Sequence, residues 1–517
     1  MARFLISFAG VNANSHMRSK LFSFLFLFLA AVTATGQETR KIRLVQADLM
    51  SYDKRLGPDI QRILGNAVFE HDGAYLYCDS AHLNNVTNSV KAYSKVRIKA
   101  SDTLNLYGDS IYYSGETRIA EVFDHVKLVD NQTVLTTNKL IFDRNTEIAY
   151  YLTGGHIIND KNTLDSRRGY YHTNTKDFFF KDDVVLVNPD YVMNCDTLRY
   201  NTRSKISWFR GPTTIKGEDT DIYAENGWYN TVTDISEFNE NARVKNGDQV
   251  LTGDSLYYER KDGFGEAFRN IVVTDTVQDI IINGQYARYS KALGYTMITQ
   301  KPEALFLEKS DTLFLHADTL RATFDSARNT KEVFAYYHVK YFRTDIQGMS
   351  DSLVYTFRDS TMRMLGSPVL WTDENQLTAD SIHVTTANKK IKNLYLYNTG
   401  FIISRDTLGT GFNQIKGRNI TGYFVDNELT ALKVTGNSET IYWVREDDGT
   451  LTGINKAFSS DMSIRLRDKK MQQIVYIQKP EAVLYPEKEL SETDRLLKDF
   501  RWLGDRRPKK REDIFTW

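Results

Sequence analysis

Cysteine and proline are scarce in this chain, two and eight among 517 residues, and neither sign of charge prevails, with 66 basic against 66 acidic side chains. A balanced charge leaves no basic surface to advertise nucleic-acid binding. No His-x-x-x-His or Cys-x-x-Cys pairing occurs, so a metal site has no support, and no cofactor is expected. Gly-x-Ser-x-Gly, a Walker loop and a dinucleotide fingerprint are also missing, and no carboxylate pair is singled out, so the chain reads as a non-enzyme. Few prolines set against 30 Tyr and 28 Phe favour an all-β chain with aromatic-faced strands. The 41% hydrophobic content suffices for a sizeable core.

One long apolar run is present, "LFSFLFLFLAAV" from Leu21, preceded by "MRSK" and followed by small residues up to Gly36. It is short of the about 20 residues of a membrane span and reads as a signal peptide over 1–36. The mature protein is expected to be exported.

What the chain has in abundance is repetition. "LTGDSLYYER" from Leu251 has near-copies in "LYGDSIYYSG" from Leu106 and "LTADSIHVTT" from Leu377. The marked acid recurs about every 30 residues, at Asp79, Asp109, Asp196, Asp254, Asp318, Asp351 and Asp380 among others. A catalytic residue is needed once or twice, whereas an architectural one is needed in every repeat. Around each acid, apolar residues fall at odd offsets, as with Ala379 and Ile382. A period-2 strand cannot put both on one face, so the chain must turn a corner or bulge at the Asp-Ser step. The short Asp and Ser side chains suit it by bonding backbone groups that the bend leaves unpaired. A second recurring stretch, such as "GNAVFEHDG" at Gly65 or "DHVKLVDNQ" at Asp124, reads as a short alternating strand and a polar turn.

Two and four residues beyond each corner run two apolar rows. One contains Ile111, Leu140, Leu198, Leu256, Leu320, Leu353 and Ile382, the other Tyr113, Phe142, Tyr200, Tyr258, Tyr355 and Val384. They either fill a core or line an open groove able to shelter acyl chains, and the pattern alone does not distinguish the two. Cys78 and Cys195 occupy the same slot about four repeats apart, roughly 19 Å at about 4.8 Å per strand, too far for a disulfide. After the array at 37–485, residues 486–517 form a separate tail. In it "SETDRLLKDFRWL" from Ser491 has a capping-box start and one apolar helical face, which predicts a short helix. The following run, Arg506 to Arg511, is either a solvated tail or a contact for anionic headgroups or an acidic partner.

"LTADSIHV", "LTGDSLYY" and "LYGDSIYY", alternating with "GNAVFEHDG"-type strands, resemble the OstA-like (organic solvent tolerance) repeat of periplasmic lipopolysaccharide-transport proteins, over roughly 43–485. The resemblance implies an elongated antiparallel β-jelly-roll whose V-shaped sheets hold lipid A acyl chains in the groove between them. It also implies partners: lipopolysaccharide, other OstA-like proteins stacked through edge strands, and the outer-membrane assembly barrel. The expected function is a lipid bridge for outer-membrane assembly; the alternative is a structural or adhesive solenoid with a filled core and no lipid.

Overall fold

Alternating strands interrupted once per repeat fold here as an antiparallel ladder with one irregularity in each rung. The computed structural model describes Lys41–Trp517 apart from residues 309–310, 327–328, 389, 447 and 468–469; the expected signal peptide lies outside the described residues. The described strands, 38 in number, form one sheet.

Strands Ile235–Asn246, Gln249–Glu259 and Phe264–Asp275 show the repeating unit. Asn239 pairs with Ser255 and Ala242 with Gly253, which leaves Glu240 and Asn241 opposite the single residue Asp254. Both lie in the left-handed region, at φ 59° and 58°, and so do Arg269 and Asn270 on the other side of Asp254, at 56° and 50°. The same doublets recur at Gly65-Asn66, Ser94-Lys95, Asp124-His125, Asp182-Asp183 and Tyr337-His338. The corner is therefore a bulge, as the offset demands, but with a correction. The backbone departs from extended geometry on the strands flanking the Asp-Ser step, at the start of the stretches read above as ordinary alternating strands.

This line of bulges folds the sheet along its length into two leaves. Half-strands after the corner, such as Ser255–Glu259, make the first leaf, and those before it, such as Gln249–Gly253, make the second. Both leaves turn their apolar faces to one interior: Ala379 and Ile382, three apart, are 6% and 0% exposed. The interior forms one cluster from Ile42 to Ile298 and another from Ala304 to Ile464, with Ile282 packing against both. Cys78 and Cys195 are buried and free beside the corners, and burial pushes both thiols up to about 12.

The helix expected from Ser491 is not formed. Its start is present, since Asp494 N–H donates to Ser491 Oγ, but the following peptide groups are taken by the sheet. Gln414 accepts from Leu497 N–H (2.8 Å) and donates to the Arg495 carbonyl (2.8 Å). Gln376 accepts from Leu503 N–H (2.7 Å) and donates to the Arg501 carbonyl (2.7 Å). Both glutamines are fully buried, and peptide groups used this way cannot also serve i to i−4 bonds. The tail instead forms a strap with three short 3-10 turns, Glu487–Glu489, Gly504–Arg506 and Arg511–Phe515. It crosses the outer face of the second leaf from Trp443 back to Glu303, seating Leu490 and Leu497 among Phe401, Ile441 and Trp443, and Leu503 against Trp371. The basic run is partly consumed in this docking. Arg507 donates to Gln347 Oε1 (2.6 Å) and Arg511 to the buried carboxylate of Glu303.

Two outcomes test these devices. Gly366 (φ 76°) faces Asp351, whose Cβ would lie 2.4 Å from an added methyl, whereas Gly73 (φ 77°) has nothing within 4 Å. Both alanine variants bear the left-handed penalty of about 1–2 kcal/mol, so thermal melting should fall roughly twice as far for Gly366→Ala as for Gly73→Ala. The double variant Gln376→Ala, Gln414→Ala should loosen the strap, and limited trypsin digestion should then cut at Lys498 or Arg501 while the array stays intact. Equal resistance to cleavage would show that the amides do not hold it.

Candidate functional site

Alternation places the residues two and four beyond each corner on the interior face of the first leaf. Leu140, Leu198 and Ile382 are fully buried. Ile111, Tyr113, Phe142, Leu256, Leu320, Leu353 and Val384 are below a tenth exposed. Tyr200 and Tyr355 are half-buried, and Tyr258 surfaces at 40%. All but Tyr355 and Tyr258 are thus packed into the lengthwise interior, and the exposure of Tyr258 is informative.

The corner acids lie outside that interior and meet the doublets opposite. Asp79 accepts from Ser94 (2.8 Å) and pairs with Lys95, and Asp109 pairs with His125 (2.7 Å). Asp254 accepts from Arg269 and Asn270, Asp318 pairs with His338 (2.9 Å), and Asp380 accepts from Thr399 (2.7 Å). At Asp196 and Asp351 the facing positions are Gly211 and Gly366, and there the carboxylate turns to its own neighbour, Thr197 or Ser352. The acid thus fastens adjacent strands at the fold line, chiefly through side chains rather than the backbone groups expected from sequence.

Away from the corner the leaves meet again at a mouth formed by their hairpin turns. Here lie residues that sequence reasoning missed. His71 of the second leaf meets Tyr113 of the first (2.7 Å), and Arg144 donates to the His71 and Asp72 carbonyls (2.9 and 3.0 Å). Asp130, at 2% exposure, accepts from the Tyr171 hydroxyl and from Lys176 Nζ (2.6 Å). Tyr191 abuts Tyr229, and Arg260 reaches Asp190 at 3.9 Å. The available signal was charge: turns of the second leaf carry Asp72, Asp130 and Asp190, and turns of the first carry Arg144, Lys176 and Arg260.

Beyond the Tyr191–Tyr229 and Arg260–Asp190 contacts, the second-leaf turns at 217–219, 247–248 and 276–279 make no hydrogen bond, ion pair or ring contact across the mouth among the described residues. The interior surfaces along this section. Second-leaf residues Leu106, Leu128 and Leu135 near the N-terminal end are at most 3% exposed, whereas their counterparts Ile222, Val244, Leu251, Val273 and Ile282 are only partly buried. In this conformation the leaves are otherwise closed on each other. Two voids, beside Tyr113 and beside Tyr200, hold about 30 Å³ each, room for a single water.

The profile of the OstA-like protein family matches residues 39–196 and 193–301, just over half of the chain. The chain belongs to the OstA-like family. The matched stretch coincides with the first interior cluster, and the bulged hairpins continue past it to Tyr485. Among solved structures, similarity is found to LptH, the LptA-homologous periplasmic component of the lipopolysaccharide transport device of Pseudomonas aeruginosa. That match has 13% identity and a TM-score of 0.21, covering 22% of this chain and 93% of that one. No curated protein matches the sequence.

The Asp130 clasp yields a pH-dependent expectation. Burial alone would raise this carboxyl, but hydrogen bonds from Lys176 and Tyr171 more than offset it and hold it below the usual carboxylate range. A carboxyl lowered on folding stabilises the fold above its unfolded value near 4 and loses that contribution as pH falls through the folded value. Asp130→Asn should destabilise the flanking strands by about 2 kcal/mol at pH 7, less than a wholly buried pair because Lys176 keeps 23% exposure. Hydrogen exchange over Asp177–Asn188 should report it, and the gap between variant and parent should shrink below about pH 4.

Proposed function

We propose that this OstA-like chain is a periplasmic bridge for lipopolysaccharide, carrying acyl chains along the interior between its two leaves without covalent chemistry. The observation that carries this reading is the lengthwise apolar interior that comes to the surface over the unlaced section of the mouth. Each buried methylene would stabilise bound lipid by about 0.8 kcal/mol, enough for a few methylenes to offset a modest parting of the leaves. The lipid is expected to spread the leaves where the interior is tightly packed, since the voids beside Tyr113 and Tyr200, about 30 Å³ each, do not hold an acyl chain.

The ends of the array suit the expected partners. At one end, Arg43–Gln46 and Leu49–Tyr52 pair, among the described residues, only with Ile60–His71, and Val45, Leu49 and Met50 are about half exposed. At the other, Glu481–Tyr485 pairs, among the described residues, only with Leu451–Arg467. Unpaired edges are templates for strand addition by similar domains, including those that precede an outer-membrane assembly barrel.

The tight interior favours a second reading, a structural solenoid that binds no lipid. A photoreactive residue in place of Tyr258 or Leu251 should trap lipopolysaccharide in intact cells far more strongly than one in place of Tyr257, whose side chain lies on the outer row. Labelling at Tyr258 and Leu251 no stronger than at Tyr257 would leave the solenoid reading standing. Mass spectrometry of lipid co-purifying with the protein provides an independent check.

A further inference from the structure

The two rims of the mouth differ in charge. Turns of the second leaf present Asp72, Asp130, Asp160, Asp190, Asp219 and Asp248, and turns of the first leaf present Arg118, Arg144, Lys176, Lys205, Arg260 and Lys291. The sorting is incomplete, since Glu116, Glu147, Asp234 and Asp262 also stand on the basic rim and Lys161 on the acidic one. The side chains that reach across are nevertheless basic from the first leaf and acidic from the second: Arg118 to Asp72, Lys176 to Asp130 and Arg260 to Asp190. Where the lacing stops, the basic rim continues. Arg203, Lys205 and Lys291 carry no ion pair among the described residues. Lys261 donates to the Val232 carbonyl and lies 4.0 Å from Asp234, and Arg260 holds Asp190 only at 3.9 Å. Tyr258, two residues before Arg260 on the same strand end, stands 40% exposed, and the second-leaf interior residues Leu251 and Ile282 are only partly buried.

We infer that this unlaced section is a lateral loading site for an amphiphile with a phosphorylated headgroup. Its acyl chains pass between the leaves beside Tyr258, and its phosphates are held by Arg260, Lys261 and Lys291 on the first-leaf rim. This assignment rests on the conduit reading and adds the side of the mouth and the headgroup chemistry. Lysine and arginine on adjacent turns give charge-assisted hydrogen bonds to phosphate oxygens. The acidic rim opposite repels the same group, which fixes the orientation of the lipid. Arg260 exchanges a long contact with Asp190 for the phosphate, so loading weakens the last lace of the mouth.

The test compares lipid A with its dephosphorylated form, both in one detergent, binding to the full chain. The variant Arg260→Glu, Lys261→Glu, Lys291→Glu changes exposed turn residues only. Its control, Lys127→Glu, Arg243→Glu, Lys245→Glu, makes the same charge change on the exposed outer face of the second leaf. Lipid A should bind the rim variant about tenfold more weakly, a loss of about 1.4 kcal/mol, and the control normally. The dephosphorylated lipid should bind parent and rim variant alike. If the reversal unfolds the chain, the glutamine triple at the same positions is expected to show a smaller loss of the same kind. Unchanged lipid A binding by the rim variants, or an equal loss in the control, overturns the assignment. Equal affinity of the parent for both lipids, with the Tyr258 crosslink intact, overturns the rim and leaves the conduit. Binding of neither lipid, with no crosslink, overturns both.

Discussion

The whole architecture depends on two residues facing one. A flat ladder of this many strands would expose an apolar face along its entire length. The doublet of left-handed residues against each Asp doubles the sheet over so that both halves bury that face together. Left-handed backbone costs roughly 1–2 kcal/mol for a residue with a side chain, and the doublets are filled accordingly. Asn, Asp, His and Gly tolerate the region, and Ser, Lys and Arg in it bond the carboxylate opposite, as Ser94, Lys95 and Arg269 do. The acid therefore supports a strained backbone on its neighbours rather than bending its own.

That division of labour explains what could be read from the residues. The period, the all-β class and the interior rows were legible, because a three-residue offset between Ala379 and Ile382 cannot be drawn on a regular strand. The strand bearing the distortion was not legible. Gly65-Asn66, Asp124-His125 and Asp182-Asp183 look like ordinary polar turn residues, and only the register of the partner reveals that they oppose Asp79, Asp109 and Asp196 or their equivalents. The mouth clasps escaped for a related reason. Asp130 and Lys176 are 46 residues apart, neither carries a motif, and only the doubling of the sheet brings their turns together.

The tail failed as a helix for a reason outside its own sequence. Ser491, Asp494, Leu496, Leu497 and Phe500 satisfy local rules for a helical turn, and the first bonds of one do form. Two glutamines from distant strands then compete for the peptide groups in a buried setting, where leaving Gln376 or Gln414 unpaired would cost about 1–3 kcal/mol each. Leu503 is drawn to Trp371 and Phe500 to Phe412, positions that a single helical face could not reach together. Tertiary demand overrides local preference here.

The strap and the unlaced mouth occupy different stretches of the chain, and this separation has a mechanical consequence. From Glu303 onward the second leaf is packed on both faces, with interior residues such as Leu370 on one side and the strap on Gln347, Trp371 and Gln414 on the other. Toward the N-terminus the leaves are tied across the mouth at Asp72 and Asp130. Between these, over roughly 206–290, the second leaf has neither a strap behind it nor clasps in front among the described residues, and it is held by its own ladder and by partly exposed aliphatic contacts. A doubled sheet asked to admit a guest will part where its leaves are least tethered. The fold thus starts any opening at a central section that has Leu251 and Ile282 on its interior side and a basic rim outside.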